Sequence, residues 1–268
     1  MPELPEVETV KRSLAPHLDG KTIERVVFYW PRTCVGDPDE TSAQLAGQRI
    51  DQVGRHGKYL LFRLSKHGRD SFLWIHLRMT GNLLLNARPG PHTRAEMFLS
   101  GGTSVVFHDI RKFGKWQWSR DFPERLAQLG PEPLEIDSKG FVKRLARRSM
   151  RLKALLLDQE FLRGLGNIYA DEALFRAKLH PERSAASVGP RKARALHKAI
   201  RDVLQESISA GGTSINNYVD GQGSQGYFQL RTQVYGKTGE PCANCASPVR
   251  RIVVAQRSTH YCPRCQRR

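Results

Sequence analysis

A run of short strand-like segments, a switch to helical periodicity and four late cysteines predict an α+β chain: a β-sandwich or barrel first, helices next and a metal-bound tail last. Seven runs, at 22–30, 58–64, 72–77, 81–85, 96–99, 103–108 and 115–118, are rich in β-branched, aromatic or leucine residues and are separated by Gly, Asn, Pro or charged turns. That is the rhythm of an antiparallel β domain. From about residue 141 the pattern changes, and Phe141, Val142 and Leu145, then Leu152, Leu155 and Leu156, fall at helical spacing. Cys242-x2-Cys245, sixteen residues, then Cys262-x2-Cys265 is the spacing of a four-thiolate zinc site. Four thiolates leave no position for water, so one structural zinc is expected.

The first element begins at Met1-Pro2-Glu3-Leu4-Pro5-Glu6. Pro5 followed by Glu6 and Glu8 suits a helix start, because proline fits the first turn and acids favour the positive end of the dipole. Val7, Val10 and Leu14 share one face, and the helix is expected to stop before Pro16. A second reading concerns chemistry. If Met1 is removed, Pro2 offers a secondary amine that titrates near ~8 and can form a Schiff base with an aldehyde-like carbon, with Glu3 and Glu6 close by to move protons. An acylated Pro2 cannot do this.

The Pro-rich stretch 130–133 opens a linker. Beyond it, 153–159 reads as a helix, 164–167 as a tight turn, and Asn167 as a cap for a helix over 168–177. The start of such a helix exposes amides that bind phosphate. A longer helix over 191–209 ends at Gly211-Gly212. The segment 213–226, with Asn216, Asn217, Gly221, Gly223 and Gly226, has no periodicity and reads as a mobile, lid-like loop. In the tail, 252–254 and 259–261 read as two strands around a turn holding Arg257 and Ser258. The domain bounds are 1–134, 135–228 and 229–268.

Forty-three Lys and Arg against twenty-six acids leave a formal charge of +17, which points to a polyanion, with nucleic acid ahead of a membrane surface. No long uncharged apolar run and no basic signal-like start are present, so a soluble cytoplasmic protein is expected. Cys34, the one remaining cysteine, has no evident role, and the five together are not a disulfide framework.

Six motifs, in order, resemble the formamidopyrimidine-DNA glycosylase family. They are residues 2–8 (PELPEVE), 56–59 (HGKY), 76–81 (HLRMTG), 109–114 (DIRKFG), 164–169 (GLGNIY) and the cysteine tail with 257–260 (RSTH). The resemblance implies an N-terminal β-sandwich with flanking helices, a helix-two-turn-helix domain and a β-hairpin zinc finger. It also implies a monomeric, nucleoid-associated enzyme acting on damaged double-stranded DNA. Such an enzyme excises oxidised purines (8-oxoguanine, formamidopyrimidines) and then cleaves the strand as an AP lyase by β,δ-elimination.

By the same resemblance Pro2 is the Schiff-base nucleophile, Glu3 the proton shuttle, Glu6 a supporting carboxylate, and Lys58 a catalytic phosphate-clamp residue with His76, Asn167 and Arg257. Met79, Arg111 and Phe113 fill the gap left by an extruded base. From residue type alone, Met79 and Phe113 read equally well as core and His76 as a satisfied strand histidine. Lys112 stands where many relatives have Arg. Two rivals are an endonuclease VIII-like enzyme for oxidised pyrimidines, whose members usually have Gly where this chain has Leu4, and a non-catalytic zinc-finger DNA binder.

Overall fold

Two four-stranded antiparallel sheets frame the first part of the chain. The computed structural model describes residues 1–214 and 218–268, and its contacts divide into two compact units. One comprises Met1–Gln128 with Ala210–Tyr227, the other Leu129–Ser209 with Phe228–Arg268. In the first unit the strands are β1 (Ile23–Phe28), β2 (Arg49–His56), β3 (Tyr59–Lys66), β4 (Arg69–His76), β5 (Gly81–Leu85), β6 (Thr93–Leu99), β7 (Thr103–Asp109) and β8 (Lys115–Ser119). Their orders are β1-β6-β7-β5 and β2-β3-β4-β8. Side chains from both sheets, among them Val26, Phe62, Leu73, Met97, Phe107 and Trp116, enclose a single apolar core. Each large side chain in it is worth roughly 3 kcal/mol or more against truncation.

Helix α1 (Leu4–Leu18) lays Val7, Val10, Leu14 and Leu18 on that core. It runs through Pro16, contrary to the sequence expectation. The missing proline N–H frees only the carbonyl of Arg12, an exposed residue that water can serve, while burial of Leu18 and the Asp19 N–H to Ala15 O bond of 3.0 Å retain the last turn. Helix α2 (Pro38–Leu45) was not read from sequence. Asp37 caps it by accepting the amides of Asp39 and Glu40. A short α3 (Glu124–Ala127) follows β8.

The second unit holds α4 (Ser138–Ala146), α5 (Leu152–Leu157), α6 (Asn167–Arg176) and α7 (Pro190–Ser209), followed by the hairpin β9 (Arg250–Val254) and β10 (Arg257–Tyr261). Phe141, Leu145, Leu152, Leu155 and Leu156 are buried, as their periodicity predicts. Glu172, buried on α6, accepts the amides of Gln233, Val234 and Tyr235 at 2.8–3.0 Å and so fastens the segment leading into the cysteine tail. Two local readings need correction. Gly166, not Asn167, is the N-cap of α6, because the Asn167 amide is turned toward Ser258. The hairpin turn is Ala255-Gln256, both at positive φ (49° and 58°), and this places Arg257 and Ser258 in β10, where Arg257 pairs with Val254.

The segment 210–227 belongs to the first unit, whereas the sequence bounds place it with the helices. Its hydrogen bonds explain this: Gly221 N–H donates to Ser13 Oγ at 2.8 Å, and Leu85 N–H to Gly221 O at 2.8 Å. The flanks of the loop read as mobile are thus pinned to α1 and β5, and Asn216 and Asn217 lie outside the described residues. Among the described residues no helix is long and apolar enough to cross a membrane.

Candidate active site

The start of α1 buries the three residues to which the sequence reading assigns chemistry. Pro2 is buried, and Glu3 and Glu6 are 3% and 2% exposed. Glu3 is extended just ahead of the helix, and its N–H donates to Glu6 Oε2 at 2.8 Å, as a first-turn acid does in a capping box. The other oxygen, Glu6 Oε1, accepts Thr213 N–H at 2.8 Å, and the Tyr218 hydroxyl donates to the Glu6 carbonyl at 3.1 Å. Burial, and then the Glu6 charge, push the Tyr218 phenol up, so it stays a neutral donor. Glu6 therefore braces the backbone on both sides of the terminus. With Met1 attached, the Pro2 nitrogen is an amide, and loss of Met1 converts it to a secondary amine.

Beyond β2, the two-residue turn Gly57-Lys58 joins His56 to Tyr59, and Lys58 is 7% exposed. His76, at the end of β4, is buried against the Tyr59 ring, with centroids 4.6 Å apart. Its Nδ1 accepts Arg78 N–H at 2.9 Å. Burial, followed by the charges of Arg78, Lys58 and Arg125, lowers its pKa to about 3. The ring is neutral at ordinary pH, and because Nδ1 accepts, Nε2 carries the proton.

Met79 and Phe113 are each 47% exposed, so neither is a core residue. Arg111 joins them, with its guanidinium 4.7 Å from the Phe113 ring centroid and Nη1 3.0 Å from Met79 Sδ. Asp109, fully buried, holds the group together by accepting the amides of Arg111 at 3.2 Å and Gly114 at 2.7 Å and the hydroxyl of Thr80. Lys112 has a partner of its own, the Trp30 ring at 4.2 Å.

In the second unit, Asn167 Nδ2 donates to Ser258 O at 2.8 Å. Arg257 is exposed on β10. In the tail the four cysteine sulfurs lie within 4.8 Å of one another, with Cys242 to Cys265 at 3.9 Å and Cys245 to Cys262 at 3.4 Å.

Comparison with known proteins covers nearly the whole chain. Residues 1–116 match the formamidopyrimidine-DNA glycosylase N-terminal domain, 129–219 the H2TH domain of the same enzymes, and 239–268 the zinc finger found in FPG and IleRS. The formamidopyrimidine-DNA glycosylase of Solibacter usitatus is 51% identical over 269 residues, covering 100% of both chains. The chain belongs to the formamidopyrimidine-DNA glycosylase family. Among solved structures, the Lactococcus lactis FPG mutant G226P in complex with a Fapy-dG containing DNA superposes with a TM-score of 0.91 at 38% identity, covering 100% of both chains. The Lactococcus lactis Fpg complex with an abasic site containing DNA gives 0.90 at 38%, covering 99% of this chain and 100% of that one.

For this family member the cysteine geometry fits zinc. Tetrahedral bonds of ~2.3 Å set sulfurs about 3.8 Å apart, between the two separations above. Cys242, Cys245, Cys262 and Cys265 would hold the ion and supply a cross-link, not chemistry. Cys34 is no ligand: it is buried, its Sγ 3.2 Å from Thr41 Oγ1, and burial raises its pKa. Sequence reasoning missed Asp109, Thr213 and Tyr218, which organise the site through backbone groups. Asp109 stands inside a quoted motif, which was the available signal for it. Thr213 and Tyr218 lie in the segment 213–226 read as a lid-like loop, but their residue types gave no sign of a contact with Glu6.

Proposed function

We propose that the protein is a bifunctional DNA glycosylase and AP lyase for oxidised purines such as 8-oxoguanine and formamidopyrimidines, acting as a monomer on damaged double-stranded DNA. The observation that carries this reading is the buried Pro2–Glu3–Glu6 cluster, in which the Glu6 carboxylate holds the Glu3 amide and so sets the terminus; Pro2 and Glu3 carry the reaction. After removal of Met1, the Pro2 nitrogen attacks C1′ of a nucleotide flipped out of the stack. The bond from C1′ to the base breaks, its electron pair leaves with the base, which takes up the proton shed by the Pro2 nitrogen, and Glu3 delivers a second proton to O4′ as the C1′–O4′ bond breaks and the nitrogen lone pair forms the iminium. The resulting iminium acidifies C2′. Loss of a C2′ proton expels the 3′ phosphate, and a second elimination expels the 5′ phosphate. Water then hydrolyses the imine and returns the amine.

Lys58, neutral His76 through Nε2–H, Asn167 and Arg257 contact phosphates, which position the duplex without reading it. Met79, Arg111 and Phe113, apolar or cationic side chains held out in solvent, fill the space of the extruded base, and Arg111 hydrogen-bonds the orphaned cytosine.

The test is borohydride trapping of Met1-free protein on duplexes carrying 8-oxoguanine or an oxidised pyrimidine. A covalent product with the purine lesion, formed faster than with the pyrimidine, is expected. Absence of any covalent product would identify a DNA binder without catalysis, and preference for the pyrimidine would overturn the substrate assignment.

A further inference from the structure

Within the second unit, one buried carboxylate joins the β9–β10 hairpin, which the four tail cysteines flank, to the helix whose first turn carries Asn167. Asp171, on α6, is 1% exposed. Its Oδ1 accepts Lys153 Nζ at 2.6 Å, both side chains being fully inaccessible. Its Oδ2 accepts His260 N–H at 2.8 Å and lies 3.1 Å from Nδ1 of the same histidine. Lys153 Nζ also donates to Asn167 O at 2.8 Å, and Asn167 Nδ2 reaches Ser258 O. These contacts are in register. Residues 167 and 171 are about 6 Å apart along a helix axis, and residues 258 and 260 are about 6.6 Å apart along a strand. A one-residue slip of β10 would turn the other face of the strand to α6 and break the set together.

A buried lysine–aspartate pair gains little stability, because desolvation offsets much of the attraction and apolar residues of similar volume often serve as well. What such a pair can add is a unique arrangement. The zinc ligand Cys262 is five residues beyond Arg257, about 16 Å along a strand, so a metal there closes one end of the hairpin and leaves the height of Arg257 on α6 to other contacts.

We propose that Asp171 is a positioning residue for DNA binding: through Lys153 and His260 it locks the register of β10 on α6, and so fixes Arg257 relative to Asn167 for contact with phosphates of one strand. The inference rests on the phosphate-contact reading of Arg257 and Asn167 given above.

The test uses the full chain with zinc bound and a duplex carrying a tetrahydrofuran abasic-site analogue, with affinity measured across a salt series. The double variant Lys153→Met/Asp171→Leu replaces the pair by apolar side chains. It is expected to keep its zinc and thermal midpoint, bind about tenfold more weakly, and lose about one from the slope of log K against log salt. Adding Arg257→Ala to it is expected to cost nothing further, since both changes remove one interaction.

Parental affinity and slope in the double variant would overturn the proposal, and so would losses that multiply when Arg257→Ala is added. If Arg257→Ala alone binds like the parent, the phosphate reading fails and this inference falls with it. If Arg257→Ala weakens binding and the double variant does not, only the inference fails. Should the double variant lose zinc or unfold, Asp171→Asn, which keeps the side-chain volume, is expected to show the reduced slope, and a parental slope there overturns the proposal.

Discussion

Glu6 and Thr213, 207 residues apart, are joined by a 2.8 Å hydrogen bond from the Thr213 amide to the Glu6 carboxylate. Because the other oxygen of the same carboxylate holds the Glu3 amide, one side chain ties the chain terminus to the segment after α7. Two buried backbone donors are satisfied by one charge, an arrangement stronger than two neutral hydrogen bonds.

That brace predicts the effect of filling the space beside it. Gly212 has φ +84°, and a Cβ there would lie 3.1 Å from Glu6 Oε1 and 3.2 Å from Tyr218 Cε1. Gly212→Ala should cost roughly 1–2 kcal/mol in stability through the left-handed backbone alone. It should also lower borohydride trapping severalfold, because Thr213 is drawn away from Glu6. Parental trapping in a destabilised variant would show that the brace does not set the terminus.

Glu3→Gln separates acid from binding. The amide keeps the shape of the side chain and cannot deliver a proton, so base excision should fall by about a hundredfold or more, while affinity for abasic-analogue DNA changes less than about threefold. Excision kinetics under single-turnover conditions, paired with a binding titration, read both. Normal excision would reduce Glu3 to a helix-start residue.

The parts of this chain that were legible in sequence are those in which spacing encodes geometry. The cysteine knuckles and the helical face of Leu152, Leu155 and Leu156 are of this kind. Strand β2 was not legible, because a bulge between Ile50 and Gln52 puts its buried residues Ile50 and Val53 three apart and hides the two-residue period. The start of β6 was obscured similarly, by a bulge between Thr93 and Ala95 and a buried arginine, Arg94. Met79 and Phe113 could not be told from core by type, since exposure is a tertiary property. Contacts such as Glu6 with Thr213 leave no local pattern at all, and the turn at Ala255-Gln256 was hidden because neither residue is the glycine or asparagine that positive φ favours.

His76 gives a pH prediction. Its folded pKa of about 3 lies below the unfolded value of ~6.5, so the unfolded chain binds the extra proton between those limits. Stability is therefore fully present above about pH 6.5 and is lost as pH falls toward 3, by about 2 kcal/mol at pH 5 from this group. Denaturant midpoints at pH 7.5 and 5.0 should converge in His76→Gln relative to the parent. An unchanged pH difference would mean that the ring titrates normally.

Zinc loss should act on binding through folding. A structural zinc held by cysteines is worth on the order of 10 kcal/mol, and among the described residues the apolar cluster around Cys242 and Cys262 has Phe175, Val234 and Val249 as its further buried members, too little to hold the tail alone. Cys262→Ser should therefore release zinc, unfold the hairpin, misplace Arg257 and weaken DNA binding by at least tenfold, with the β-sandwich still cooperative in unfolding. Arg257→Ala should reproduce most of the binding loss with one zinc per chain retained, and should reduce the salt slope by about one. Metal analysis, a salt series and thermal unfolding on the same three proteins decide the matter. Tight lesion binding by zinc-free protein would show that the finger is not part of the DNA-binding surface.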